Sequence, residues 1–196
     1  RVLAEEVSGL GEFIVLCREK NVRFRKVPKK DLDRLFQGTH QGVMARLRGR
    51  SLFDLDSLIE RAQQDPFPLI IALDQVQDPG NVGTLARSLY ALGGSGLIFP
   101  QDRTAFLGHT AAKAAAGALD HLPLCQVVNL ARALDQCAEA GFTIYGTGMG
   151  EASTPLFSTE LYLPGVLVLG NEDKGVRPNV LKRCTTILNI PMLRGF

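Results

Sequence analysis

Residues 69–87 read Leu69-Ile70-Ile71-Ala72-Leu73-Asp74-Gln75-Val76-Gln77-Asp78-Pro79-Gly80-Asn81-Val82-Gly83-Thr84-Leu85-Ala86-Arg87, and this stretch decides the fold. A near-continuous apolar run enters a polar Pro-Gly turn and leaves it as an amphipathic helix, the pattern of a strand buried on both faces. The alternation repeats downstream. Strands are expected at GLIFP (96–100), LPLCQVV (122–128), FTIYGTG (142–148), GVLVLG (165–170) and TTILNIP (185–191), with helices at GTLARSLYALG (83–93), TAAKAAAGAL (110–119) and NLARALDQCAEAG (129–141). Such a series predicts an α/β domain with a mostly parallel sheet covered on both sides.

Upstream the pattern is smaller. Val2–Val7 and Val22–Val27 read as strands, residues 11–20 and 29–36 as helices, and His40-Gln41-Gly42-Val43-Met44-Ala45 as a further strand. Residues 51–68 hold a short helix-like piece and end in Asp65-Pro66-Phe67-Pro68, where two prolines in three residues stop any helix. The expected organisation is a basic α/β unit over 1–50, a linker over 51–68 and the main domain over 69–196.

Composition fits a soluble globular protein of 196 residues, with 22 Lys+Arg against 20 Asp+Glu. Split by domain the charge is uneven: residues 1–50 carry 12 basic and 6 acidic side chains, whereas residues 51–196 carry 10 and 14. A basic module joined to a mildly acidic one points to a polyanionic partner for the first. The longest apolar runs fall far short of the roughly 20 residues of a membrane span. No signal peptide is visible, and because the first residue is Arg1 a natural start is expected upstream. Cys17, Cys125, Cys137 and Cys184 form no CxxC pair, so neither zinc nor disulfides are expected, and the setting is read as reducing and cytoplasmic.

Four loops carry candidate chemistry. In the first, Asn81 has a bland role as helix N-cap, with Gly83 and Thr84 in the first turn, and Arg87 lies on the following helix, within reach of an anion above the sheet. Gly146-Thr147-Gly148-Met149-Gly150 is glycine-rich but is followed by Glu151-Ala152-Ser153-Thr154-Pro155 and not by a helix, so the dinucleotide fingerprint fails its context. Gly170-Asn171-Glu172-Asp173-Lys174-Gly175 places two carboxylates after a strand, and Ile190-Pro191-Met192 ends another. His40, His109 and His121 are isolated, which leaves nucleophilic hydrolysis without support.

In order, DPGNVGTLARSLYALG, AAKAAAGALDHLP, LVLGNEDKGV and IPM closely resemble the SPOUT superfamily, specifically the SpoU-type RNA ribose 2′-O-methyltransferases. With HQGVMA after a small basic unit, the chain is most similar to the bacterial enzymes that methylate a guanosine of 23S ribosomal RNA. The resemblance implies a deep trefoil knot, an L30e-like RNA-binding unit lacking its first elements, S-adenosylmethionine as cofactor, and a homodimer sharing its sites. It implies RNA as partner, ribosomal RNA ahead of tRNA, and no metal. Position by position it implies Thr147, Gly148, Gly170, Asn171, Ile190 and Met192 around the cofactor, and Asn81, Arg87 and Glu172 as catalytic-site polar residues. Family proposals make the arginine a base. An arginine stays protonated, so Arg87 is read as an anchor for a target phosphate and for developing negative charge, with Asn81 and Glu172 orienting neighbours. Two departures stand out: Arg194 delays the glycine after Met192, and the family's Ser-Leu-Asn motif and final helix would fall beyond Phe196. The alternatives are a non-catalytic RNA-binding protein on the same scaffold and, more weakly, an oxidoreductase built on GTGMG.

Overall fold

The computed structural model describes residues 2–5, 10–38, 40–45, 51–105, 107–150 and 152–192. Two compact units divide between Arg50 and Ser51. The first runs β1 (Val2–Glu5), α1 (Gly11–Glu19), β2 (Phe24–Val27), α2 (Lys29–Leu35) and β3 (Val43–Ala45). Its central strand β1 pairs parallel with β2 and antiparallel with β3. Cys17, Val27 and Leu32 are buried beneath the helices. The strand expected to reach Val7 is described to Glu5, and residues 6–7 lie outside the described residues.

The second unit contains α3 (Leu55–Ala62), β4 (Phe67–Asp74), α4 (Pro79–Ala91), β5 (Gly94–Pro100), α5 (His109–Ala115), β6 (Leu124–Val127), α6 (Leu130–Glu139), β7 (Thr143–Thr147), β8 (Thr154–Pro155), β9 (Gly165–Gly170), α7 (Pro178–Leu181) and β10 (Thr186–Asn189). Its seven strands lie in the order β6-β5-β4-β9-β7-β10-β8, and every pairing is parallel. Parallel neighbours need crossovers, and the helices supply most of them on both faces. The two-residue period of β4 sorts its side chains accordingly. Ile70 and Ala72 join Leu58, Leu134 and Val180 on one face, whereas Ile71 and Leu73 join Val82, Leu89 and Ala111 on the other. On that second face Gly83 lets α4 and α5 touch, because a Cβ there would meet the Ala111 carbonyl and stand 2.7 Å from the Ala114 Cβ.

The expected linker over 51–68 is corrected. Residues from Ser51 onward belong to the second unit, and α3 buries Leu58, Ile59 and Ala62 in its core. Asp54 fixes the start of that helix, its carboxylate accepting from the Ser57 amide at 2.8 Å and from the Ser57 hydroxyl at 2.9 Å. The two prolines mark a strand entry and not a boundary. Pro68 lies inside β4, where it has no N–H to donate, and the β4–β5 register shifts between Phe67 and Ile70.

Leu58→Ala discriminates between a linker and a core helix. Unfolding of the second unit, followed by urea with an unchanged m-value, should lose about 2–5 kcal/mol, the cost of truncating a fully buried leucine.

Candidate active site

The carboxyl ends of adjacent parallel strands gather the loops singled out in the sequence. After β4 the chain turns through 75–78 into α4, and the N-cap is Asp78: its Oδ1 accepts from the Gly80 and Asn81 amides at 2.6 and 3.4 Å. The N-cap reading of Asn81 is therefore corrected, as is the placing of Gly83 and Thr84 in the first turn. Pro79 opens the helix because its missing N–H and fixed φ suit that position, which puts Asn81 third and frees its side chain.

That side chain turns to Glu172 in the loop after β9. Asn81 Nδ2 donates to Glu172 Oε1 at 3.1 Å, and the Asp78 amide donates to the same oxygen at 3.3 Å. Oε2 accepts from the Gln77 amide at 3.4 Å and from Asn171 Nδ2 at 3.3 Å. Desolvation raises the Glu172 pKa, but these donors, led by Asn81, outweigh it and hold the carboxyl below its ordinary value. Four donors converging on one carboxylate make Glu172 a staple between two loops and leave it poorly placed to accept a further proton.

The loop that carries Glu172 is closed on itself. Asn171 and Gly175 exchange backbone hydrogen bonds at 3.1 and 2.9 Å, and Asn171 Oδ1 accepts from the Asp173 and Lys174 amides. Gly170 is required here, since a Cβ would collide with the backbone of Gly175 and Val176. Asn171 Nδ2 also donates to the Gln75 carbonyl at 3.0 Å, which ties the loop back to the end of β4.

Beneath this network lies a pair that the sequence reading did not single out. Asp74, the last residue of β4, is fully buried. Its Oδ2 accepts from the Arg177 amide at 2.7 Å, and its Oδ1 accepts from Arg177 Nε at 2.8 Å and lies 2.7 Å from Nη2. The signal was an aspartate ending a run of five apolar residues, which is affordable in a core only when the charge is met.

The residues expected around a cofactor fall on three adjacent strand ends. Thr147 and Gly148 end β7, Gly170 and Asn171 end β9, and Ile190 and Met192 follow β10. Thr147 Oγ1 donates to the Val168 carbonyl at 3.0 Å, and the Gly148 amide to the Leu188 carbonyl at 3.0 Å, so the three ends are cross-tied. Met149, Ile190 and Met192 expose their side chains above them. Arg87 stands apart on α4, about 9 Å along the axis from Asn81 and about 120° round it. It is exposed and makes no hydrogen bond, ion pair or ring contact among the described residues. The displaced glycine at position 195 lies outside the described residues.

Other chemistries find little purchase. Burial pushes the Cys125 and Cys184 thiols up to about 11 and Cys137 up to about 12, away from nucleophilic thiolates. His40 pairs with Asp33 at 2.9 Å, and His121 stacks on Tyr90. Among the described residues no cluster of three or more His, Cys, Asp or Glu is placed to hold a metal, and no helix is long and apolar enough to cross a membrane.

Fold and site together define an α/β protein with a polar network gathered at the carboxyl edge of a parallel sheet. The profile of the SpoU rRNA methylase family matches residues 68–196, and that of the RNA 2′-O ribose methyltransferase substrate-binding domain matches residues 2–52. The chain belongs to the SpoU rRNA methylase family. It is 38% identical over 167 residues to the 23S rRNA (guanosine-2′-O-)-methyltransferase RlmB of Pseudomonas aeruginosa, an alignment spanning 84% of this chain and 66% of that protein. With RlmB of Pseudomonas putida the identity is 33% over 186 residues, spanning 93% and 74%. In fold it matches the SpoU methyltransferase AviRb from Streptomyces viridochromogenes with a TM-score of 0.80 at 23% identity, covering 99% of this chain and 73% of that one. The chain thus spans three quarters or less of the length of each of these relatives.

Removing the guanidinium in Arg177→Ala leaves a buried carboxylate with one amide donor and should cost about 2–4 kcal/mol of unfolding free energy. Arg177→Lys should recover little of it, because an ammonium lacks the fork. For Glu172 the folded pKa is lowered, so its contribution is present above the ordinary glutamate value of roughly 4.3 and is lost as pH falls through the lowered value. Relative to Glu172→Gln, the wild type should lose stability between about pH 5 and pH 3 in a denaturant series, and parallel profiles would contradict the staple.

Proposed function

We infer that this chain transfers a methyl group from S-adenosylmethionine to a ribose 2′-hydroxyl of RNA, with ribosomal RNA preferred over tRNA. The observation that carries this reading is the strand-end site itself. Glycine loops and exposed apolar side chains at β7, β9 and β10 lie beside a Glu172–Asn81 network on the sheet edge where a SpoU family member is expected to act.

The residues present fit the cofactor. Strand-end backbone groups at 147–148, 170–171 and 190–192, with Met149, Ile190 and Met192 as apolar walls, suit a flat purine recognised through amide-like hydrogen bonds. When bound, S-adenosylmethionine supplies a methyl carbon made electrophilic by its sulfonium. The chain's own contribution is chiefly alignment. Glu172 holds the Asn81 side chain and the 77–78 amides in place, which fixes the loop against which the ribose must lie. Arg87, permanently charged and without a partner among the described residues, is placed to hold a phosphate of the target and to favour negative charge building on the 2′-oxygen. A proton acceptor among these residues is not required if the 2′-hydroxyl proton is released to solvent.

Several finer features follow from the same reading. The C-terminal domain carries a deep trefoil knot, a reading supported by the placement of β10 between β7 and β8. The first unit is L30e-like and binds RNA: a cavity of about 1090 Å³ at the end of α1 and the start of β2 is lined by Arg18, Arg23 and Arg25 with Asn21 and Phe24. The protein works as a homodimer in the cytoplasm. Exposed Phe157, Tyr162 and Leu163 supply apolar surface for a second copy.

Tritiated methyl transfer to unmodified ribosomal RNA, followed by mapping of the modified ribose, tests the activity. Binding of RNA without S-adenosylmethionine would favour the non-catalytic alternative. Arg87→Lys keeps the charge but loses the bidentate fork, and kcat/KM should fall by about 10- to 100-fold; near-normal methylation would remove that role. Activity should survive EDTA once RNA folding is controlled.

A further inference from the structure

A second cavity opens at the carboxyl ends of β4, β5 and β6, on the side of β4 away from the proposed cofactor loops. It measures about 310 Å³, and its polar lining comes from Gln75, Asp102, Arg103, Asn129, Arg177 and Asn179. Nothing in the mechanism above uses it. Three of its acceptors are committed elsewhere, and the Asp102 carboxylate at the rim is the acceptor left over. The Gln75 carbonyl accepts from Asn171, Asn129 Oδ1 accepts from the Arg132 amide at 3.2 Å, and Asn179 Oδ1 accepts from Arg183 Nη1 at 2.9 Å. The donors remain. Each asparagine keeps its Nδ2 hydrogens, and Arg177, with Nε and one Nη2 hydrogen given to Asp74, keeps three of its five N–H groups. Arg103 is exposed and makes no hydrogen bond or ion pair among the described residues. The first turn of α6 adds amide donors at the cavity wall.

We propose that this cavity binds a backbone phosphate of the RNA substrate, next to the nucleotide being modified, with Arg103 and the outer edge of Arg177 as its principal ligands. The assignment rests on the RNA-methyltransferase reading and extends it to a second anchor beyond Arg87. A surplus of donors around a small polar cavity calls for an acceptor-rich, singly charged group, and a phosphodiester oxyanion meets that demand. Charge favours a diester over a free dianion. The two guanidiniums are balanced by the buried Asp74 carboxylate and by Asp102 at the rim, so the site offers hydrogen bonds more than net positive potential. Location favours it too, because Arg177 and Gln75 belong both to this cavity and to the network that holds Glu172. Arg103 and Gln75 each sit in the left-handed region, with φ of 55° and 64°, and non-glycine residues held there concentrate at binding sites.

Arg103→Asn removes the charge while suiting the left-handed backbone, so the fold should be unharmed. Binding of a fluorescein-labelled ribosomal RNA hairpin, read by anisotropy across a NaCl series, should weaken roughly tenfold, and the slope of log K against log salt should shrink by about 1. S-adenosylmethionine affinity by calorimetry should not change, and Arg103→Lys should restore most of the RNA affinity. Equal affinity and equal salt slope in Arg103→Asn and wild type overturn the proposal. So does inorganic phosphate binding that is lost in Arg103→Asn without any change in RNA affinity, which would make the cavity a free-anion site. Because RNA binding is the readout, the result stands apart from methyl transfer: a wild type that binds RNA through Arg103 but transfers no methyl would overturn the proposed function and leave this site intact.

Discussion

A carboxylate with no exposed surface at the end of β4 is the constraint around which the second unit is arranged. Asp74 cannot be buried there without donors, and it obtains them from a residue 103 positions later, through both the backbone and the side chain of Arg177. Meeting that charge forces the 171–177 loop to fold back over β4. Once the loop is there, Asn171 reaches Gln75 and Glu172 reaches the first turn of α4. The polar surface at the sheet edge is thus a consequence of one buried charge. Replacing the pair by apolar residues of similar size could leave stability unharmed while releasing the loop, since buried ion pairs fix geometry more reliably than they add free energy.

Glu172 illustrates how a carboxylate in a polar strand-end loop can be structural rather than proton-active. Its oxygens are saturated by donors from three segments, and its pKa is held down, the reverse of what a general base near neutral pH needs. Arg87 is the complement: a cation with no partner among the described residues, on a helix whose start is fixed by Asp78 and, through Asn81, by Glu172. Glu172 is satisfied by the protein and ties two loops together, whereas the Arg87 guanidinium stays exposed.

Much of the main domain was legible because parallel strands buried on both faces write themselves as apolar runs, and LIIALD, GLIFP and GVLVLG became β4, β5 and β9. Family motifs in order were sufficient to place every candidate residue on a strand end or on α4. What misled was local punctuation. Pro66 and Pro68 read as a boundary, yet a proline at a strand entry is tolerated where the ladder slips, and α3 before it was read as linker although its leucines sit in the core. The helix expected over 110–119 stops at Ala115, because Ala116 and Gly117 adopt left-handed backbone that composition does not announce. Asp74 and Arg177 were illegible as a pair because nothing local links residues so far apart, and the N-cap passed from Asn81 to Asp78 because both are good caps and only the position of Pro79 separates them.

The last described strand in chain order does not lie at an edge. β10 is flanked by β7 and β8, and β9 lies between β4 and β7. As the chain emerges from the ribosome, β7 must therefore wait, with both flanks open, for partners made some 20 and 40 residues later. During that interval an unpaired, apolar parallel strand is available to neighbouring nascent chains. Synthesis of this domain should accordingly depend on chaperones that shield β7 until Thr186–Asn189 is made, and slowing translation before that point would lengthen the period of risk.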